Sequence, residues 1–233
     1  MPEGETIKTD AMSVIEEALR PLAGRRVLDI GCGAGALARF LSDRGARVGG
    51  VDPNAEALAL AREAVPSGTF RPAGAEALPF ADGSFDGAIF LNSLHHVPKP
   101  AMHRALEEAA RVVGPGGPIV VVEPLPEGSF FSALRPVEDE TEVRTAAQKV
   151  LRQAVEGGAF EEPRRVDYLR RERFEGLDQF VDRVVAVDPA RAAVVAEHRS
   201  EIEAAFRRHA RVAADGRLTL EQPMRAHVLR ANA

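Results

Sequence analysis

Two hydrophobic periods alternate along the first half of the chain. Short β-type runs that are mainly apolar occur at residues 27–30, 48–52, 86–92 and 118–123, and Thr69-Phe70-Arg71 reads as a short third strand among them. Between them, apolar residues recur at helical spacing: Leu37, Phe40 and Leu41; then Leu58, Ala61 and Val65; then Met102, Leu106, Ala109 and Val113. Period-2 or continuous apolar runs separated by 3.6-period stripes predict strands joined by helices. Glycine and proline clusters at 66–68 and 114–118 mark the breaks. The run 86–92 (DGAIFLN) is nearly continuous, as a parallel strand covered on both faces should be. A leading helix is predicted after Asp10, with Val14, Ile15, Ala18, Leu19 and Leu22 on one side, and residues 1–9 read as a loose tail. The alternation over 26–124 implies a parallel sheet with right-handed crossovers.

The second half is less regular. Residues 125–165 show no strand signal, and Val143, Ala147, Val150, Leu151 and Ala154 mark an amphipathic helix ended by Gly157-Gly158. Residues 165–173 read as a sixth strand and Leu177, Phe180, Val181 and Val184 as a helix. A long helix follows Asp188-Pro189 to about Ala210. His198 and His209 on that helix read as packing residues. Residues 218–220 and 224–229 read as two final strands.

Candidate chemistry concentrates where the first strand meets its helix, RVLDIGCGAGALARFL. Gly31-Cys32-Gly33-Ala34-Gly35 turns the chain tightly and leaves backbone N–H groups free at a helix start, a corner suited to anions and nucleotides. Two carboxylates sharpen the reading. Asp29 lies two residues before the first glycine. Asp52 ends the next strand, where it can accept from both hydroxyls of a ribose.

VLDIGCGAG followed by VDPNAEAL resembles the first two motifs of the class I S-adenosylmethionine (SAM) dependent methyltransferases. The stretch Gly74-Ala75-Glu76-Ala77-Leu78-Pro79-Phe80, with Ser84-Phe85-Asp86, resembles the same family's A-E-x-L-P-F…S-F-D segment, which runs past the adenine ring. The family's usual aspartate before A-E is Gly74 here. That removes an acceptor for the adenine amino group, which Glu76 or backbone carbonyls must replace. The resemblance implies a doubly wound α/β fold with a mostly parallel seven-stranded sheet, a C-terminal antiparallel hairpin and a helical insertion after the fifth strand. It implies one domain over 1–233, with a core at 24–124, a candidate lid at 125–165 and C-terminal strands and helices at 166–233. Implied cofactor contacts are Asp29, Gly31, Cys32, Gly33, Gly35, Asp52, Pro53, Ala75, Glu76 and Asn92. A dehydrogenase fingerprint, G-x-G-x-x-G/A, can also be read at Gly31, Gly33 and Ala36. It suits Asp29 badly, because a carboxylate there repels a pyrophosphate but favours the ammonium group of SAM.

Composition narrows the class further. The 233 residues carry a formal net charge of −5, a mild value that gives no general drive toward nucleic acid or anionic membrane. The single cysteine, Cys32, excludes an intrachain disulfide and suggests a reducing compartment. The polar start MPEGETIKTD lacks a signal-peptide core, so a cytoplasmic location is expected.

The expected function is methyl transfer from SAM to a small-molecule acceptor, with S-adenosylhomocysteine (SAH) as product. The alternative is a SAM-binding module without catalysis. His96, then His95, are the candidate bases at the carboxyl end of the fourth strand. Asn92-Ser93-Leu94-His95 stands where adenine-base methylating enzymes carry Asp/Asn-Pro-Pro-aromatic, so nucleic acid is not an expected substrate. No metal-ligand spacing stands out, and no metal is expected. Tyr168 and Arg170 share one face of the sixth strand and are candidate contacts for a carboxylate- or phosphate-bearing acceptor. The oligomeric expectation is a monomer or homodimer.

Overall fold

The computed structural model describes residues 10–232; the expected N-terminal tail lies outside them. Asp10 caps the first helix, α1 (Ala11–Leu19), by accepting from the Ser13 N–H at 2.8 Å. Strand and helix then alternate: β1 (Arg26–Ile30), α2 (Ala36–Ser42), β2 (Arg47–Asp52), α3 (Ala55–Ala64), β3 (Thr69–Pro72), β4 (Gly87–Leu91), α4 (Met102–Val113) and β5 (Pro118–Pro124). β1 pairs in parallel with β2 and β4, β2 with β3, and β4 with β5. This parallel half of the sheet runs in the order β3-β2-β1-β4-β5.

The remaining elements are α5 (Ser129–Leu134), α6 (Thr141–Glu156), β6 (Phe160–Phe174), α7 (Leu177–Val185), α8 (Arg191–His209), β7 (Arg211–Val212) and β8 (Leu218–Ala231). β8 and then β6 continue the sheet beyond β5, and β7 pairs antiparallel with β8. The sheet therefore has eight strands, not the expected seven. The two predicted final strands are one strand, β8. Along it Leu220, Gln222, Met224, Ala226 and Val228 are buried at every second position, so Pro223 falls on the other face and does not interrupt the pattern. β6 begins at Phe160 instead of 165; its fifteen residues alternate between half-buried and exposed between two buried phenylalanines.

Two compact units account for the described chain. The first comprises residues 10–123, 146–167 and 225–232; the second comprises Pro124–Thr145 and Tyr168–Met224. The expected lid, 125–165, is thus divided between them. Ala147, Leu151 and Ala154 of α6 pack into the core of the first unit, with Leu28, Ile30, Phe90, Leu106 and Val121. The second unit has its own core, in which Phe130, Phe174, Phe180 and Phe206 cluster. The Phe180 and Phe206 rings lie 5.1 Å apart and Phe174 meets Phe180 edge-on at 5.6 Å. Its buried charges are matched: Arg144 pairs with Glu140 at 2.5 Å and Arg191 bonds both Glu138 and Glu140. α8 bends at His198, whose backbone leaves helical geometry.

Within the first unit β2 carries two adjacent glycines under aromatic rings. A Cβ at Gly49 would stand 2.8 Å from the Phe85 ring, and one at Gly50 2.6 Å from the Phe70 ring. The rings occupy the space that side chains on β2 would fill.

Candidate active site

The carboxyl ends of β1, β2 and β4 converge on the glycine turn, the position at which open α/β sheets bind ligands. Gly31 and Gly35 show why glycine is needed there. Both have positive φ, at 76° and 82°; a Cβ on Gly31 would lie 2.4 Å from Cβ of Ser93, and one on Gly35 2.9 Å from Cα of Ala61. The turn is tied down by its neighbours. The N–H groups of Gly31 and Cys32 donate to the Val51 carbonyl at 2.8 and 3.0 Å, and the Gly33 N–H donates to Asp52 Oδ2 at 2.9 Å. The other Asp52 oxygen accepts from the Asn54 N–H at 2.9 Å. Asp52 therefore orients the loop, and each of its oxygens retains a further lone pair. Pro53 is exposed in the turn after it.

Asp29 is 2% exposed, and its Oδ2 has no hydrogen-bond partner among the described residues. A buried, unpaired carboxylate oxygen is costly and calls for a cationic or donor ligand. Burial raises its pKa to about 7, the negative charge of Asp52 adds to the rise, and the Ala38 backbone N–H opposes it. Asn92, at the end of β4, has φ 55° and also keeps a buried side-chain oxygen, Oδ1, without a partner. Two unpaired buried oxygens beside a glycine turn fit the ammonium and hydroxyl donors of SAM. Cys32 is buried, and burial followed by the Asp29 and Asp52 charges drives its thiol pKa upward, so it stays a protonated packing group.

The segment after β3 is braced from α4. Buried Glu108 accepts the Leu78 N–H at 2.9 Å, and Arg111 donates to the carbonyls of Leu78 and Phe80 at 3.0 and 2.8 Å. Hydrogen bonds from Arg111 hold the Glu108 carboxyl below its usual pKa, and the Leu78 N–H contributes. Ala75 and Leu78 are buried in the core beneath this segment.

After β4 the chain makes a 3₁₀ turn, Leu94–His96. His95 is buried and His96 exposed, with ring centroids 4.1 Å apart. Glu123, the sixth residue of β5, is 1% exposed. Its Oε1 accepts the N–H groups of Ser93 and Leu94 at 3.1 and 2.9 Å, and its Oε2 meets Nδ1 of His95. A carboxylate at Nδ1 holds the proton there and leaves Nε2 as the basic nitrogen. Sequence reading passed over Glu123 and Glu108. The available signal was a carboxylate in an otherwise buried register: the end of PIVVVE for Glu123, and the apolar side of α4 for Glu108.

Tyr168 and Arg170 lie in the second unit, on the half-buried face of β6 as expected. Arg170 Nε is 3.0 Å from Glu172 Oε1, and Arg183 donates to the other Glu172 oxygen at 3.0 Å. Burial lowers the Arg170 pKa against the opposing pull of Glu172. An anionic acceptor at Arg170 would compete with that carboxylate.

The glycine turn, the two carboxylates and the parallel sheet are the arrangement that the resemblance to the class I, SAM-dependent methyltransferases implies. A family model described as a methyltransferase domain matches residues 27–117, and that segment of the chain is such a domain. A ubiquinone biosynthesis O-methyltransferase from Paracidovorax citrulli is 41% identical over 107 residues, covering 43% of this chain and 44% of that protein. The chain spans about half the length of the curated relatives it matches. Among solved structures, a candidate methyltransferase from Bacillus halodurans C-125 aligns with a TM-score of 0.67 at 18% identity, over 96% of this chain and 99% of that one. A SAM-dependent methyltransferase from Geobacter sulfurreducens in complex with SAH aligns with a TM-score of 0.58 at 17% identity, over 95% and 90%. These likenesses support the fold. No helix among the described residues is long and apolar enough to cross a membrane.

Proposed function

We propose that the whole protein transfers the methyl group of SAM to a small-molecule acceptor. The observation that carries the reading is the unpaired Asp29 oxygen at the glycine turn, with Asp52 and Asn92 beside it. SAM, when bound, supplies an activated methyl group on a sulfonium. The protein's share is to hold and align. Asp29 receives the ammonium group, Asp52 the ribose hydroxyls, and the backbone of Gly31, Cys32, Gly33 and Gly35 lies against the amino-acid end. In-line displacement requires mainly such alignment and exclusion of water.

A base is needed when the acceptor begins as a hydroxyl. Glu123 bonds Nδ1 of His95, and the ring of exposed His96 lies beside it, tilted by 41°, so the pair suits an oxygen acceptor. The O-methyltransferase relatives make hydroxyl acceptors the first class to screen. Tyr168 and Arg170 are proposed acceptor contacts, and the single-domain organisation with a covering segment at 125–165 is likewise a proposal. So is a monomeric or dimeric protein in the cytoplasm, with no metal and no nucleic-acid substrate.

The test is SAH formation with a panel of phenols, amines and carbon acids. Acceptor-dependent SAH that persists in EDTA is expected. SAM binding without turnover on any acceptor would leave a binding module, and activity lost to EDTA and restored by a divalent ion would remove the metal-free reading. Tyr168→Phe and Arg170→Gln should raise the acceptor's KM several-fold while SAM affinity stays constant; unchanged KM values would exclude both residues from the acceptor site.

A further inference from the structure

The second unit holds a cavity that methyl transfer leaves unused. Its volume is about 420 Å³, and it lies where the start of α5, the end of α8 and the strands β6, β7 and β8 meet. That size suits a small organic molecule. Strand register explains how its residues come together. Arg211 of β7 stands opposite Thr219 of β8, so it shares a face with Glu221 and Pro223, two and four residues further on. On β6 the exposed Leu169 lines the cavity, whereas Tyr168 and Arg170 belong to the half-buried face. The cavity is therefore on the opposite face of β6 from the acceptor contacts proposed above. α8 ends at His209, and Ala210 alone separates it from β7, which brings Arg208 and His209 beside Arg211. Gly128 lets the start of α5 close onto β8: a Cβ there would stand 2.3 Å from Pro223 Cδ and 2.7 Å from the Glu221 carbonyl oxygen.

The charge of this cavity is not balanced by its own chain. Of the arginines in the second unit, only Arg208, Arg211 and Arg217 have no carboxylate partner among the described residues, and the first two line the cavity. The preceding Arg207 is paired with Glu203 at 2.6 Å. Glu221, the acidic residue of the lining, is held by Arg171 at 2.7 Å, so its charge is already met. Two guanidiniums side by side repel each other until an anion joins them. Ser129 Oγ accepts the Glu221 N–H at 2.8 Å, but its own proton has only the Glu221 carbonyl at 3.5 Å, too far for a firm bond. That hydroxyl proton is available to a ligand, and Leu169 and Pro223 supply an apolar wall.

We propose that this cavity is a second ligand site, which binds the phosphate monoester of a small molecule. Arg208 and Arg211 hold the phosphoryl oxygens, Ser129 donates to one of them, and the organic part rests on Leu169 and Pro223. A phosphate monoester carries about −1.5 to −2 charge at pH 7 and three strong acceptor oxygens, which matches two guanidiniums better than a single carboxylate does. The planar forks of arginine suit such oxygens because each can donate two parallel hydrogen bonds. The site is independent of the cofactor reading.

The probes are phenyl phosphate and inorganic phosphate, titrated calorimetrically into the full chain, and vesicles containing phosphatidic acid, read by flotation. Phenyl phosphate should bind at least about 3-fold more tightly than inorganic phosphate, because its ring covers the apolar wall. Arg208→Gln combined with Arg211→Gln should weaken phenyl phosphate at least about 10-fold by removing the charged donors. Arg217→Gln removes the third unpaired guanidinium, which lies outside the lining, and should leave the affinity within about 2-fold. Leu169→Asp keeps both arginines but sets a carboxylate at an exposed position of the wall, and should weaken binding as much as the double variant. All four positions are on the surface or at its edge, so thermal melts should match the parent. No heat from phenyl phosphate in the parent would overturn the proposal. So would an equal loss in Arg217→Gln, which would mean diffuse charge, or binding to the vesicles without binding to phenyl phosphate, which would mean a lipid surface.

Discussion

Asp29→Asn should weaken SAM binding by at least about 100-fold at pH 8 while raising the melting temperature of the ligand-free protein. Both effects come from one buried carboxylate. Asp29 is 2% exposed, has an oxygen without a partner, and has a pKa raised to about 7. A carboxyl whose folded pKa lies above its unfolded value favours the folded state at low pH. That contribution is complete below about 3.8 and is lost as pH rises to about 7; above this the ionised group is a standing cost, on the order of 4 kcal/mol before relaxation. An asparagine does not ionise, so the variant should gain on the parent most above pH 7. Binding responds in the opposite sense. The ammonium group of SAM requires the ionised form, and below about pH 7 a proton must leave before it binds, so parent affinity should fall with pH. The variant offers an N–H beside the ammonium and should show weak, pH-independent binding. Calorimetric titration and thermal melts between pH 6 and 8.5 read both quantities. Parent affinity that is flat over this range, or a variant that binds like the parent, would mean that Asp29 does not meet the ammonium.

The second large effect is expected at Glu123. Its two oxygens receive three N–H groups, from Ser93, Leu94 and His95. Glu123→Ala leaves buried donors unmatched and should lower stability by about 3–5 kcal/mol, the usual cost of removing one partner of a buried pair. Glu123→Gln is the sharper variant. Its amide oxygen can still accept from the backbone, but its NH₂ then faces Nδ1 of His95 and draws the imidazole proton to the other nitrogen. If His95 must present a basic Nε2, kcat with a hydroxyl acceptor should fall about 10²- to 10³-fold. SAM affinity should stay within about 3-fold, and the limb of the pH–rate profile that reports the base should move. A merely structural Glu123 would lower the melting temperature with no change in kcat or in the profile. Urea denaturation and single-turnover rates separate the two.

The parallel half of the fold was legible because its signals are local. The strands β1, β2, β4 and β5 are mainly apolar runs and short β3 is marked by its flanking glycine and proline, while the glycine turn with Asp29 and Asp52 lies within about one βαβ unit. Beyond β5 the signals thin out for physical reasons. β6 opens on Phe160 and passes through Glu161, Glu162, Pro163 and two arginines. Its partly covered face is lined by long polar side chains, so hydrophobicity does not reveal the alternation there. β8 reads in the sequence as two strands, 218–220 and 224–229; Pro223 lies between them but sits on the less buried face of a continuing strand. The site divides in the same way. The glycines and Asp52 announce themselves by spacing, whereas Glu123 acts on residues 28 to 30 positions away and Glu108 on Leu78, 30 positions away, so only the folded chain brings them together.

The paired glycines of β2 bear on how this sequence can change. Because the rings of Phe85 and Phe70 fill the places of side chains at 49 and 50, a larger residue at either position is obstructed while the ring remains. Losing a ring first leaves bare glycine backbone and a void, at a cost of about 3–5 kcal/mol for a phenylalanine truncated to alanine. Each single step is unfavourable although the double exchange, side chain for ring, conserves volume. The pair 49 with 85 is thus a ratchet, which the chain can leave only by two changes made together; at 50 a Cβ would in addition stand 2.9 Å from Cys32 Sγ, so a third residue must also give way. The strand that ends in Asp52 is thus fixed by packing from both rings.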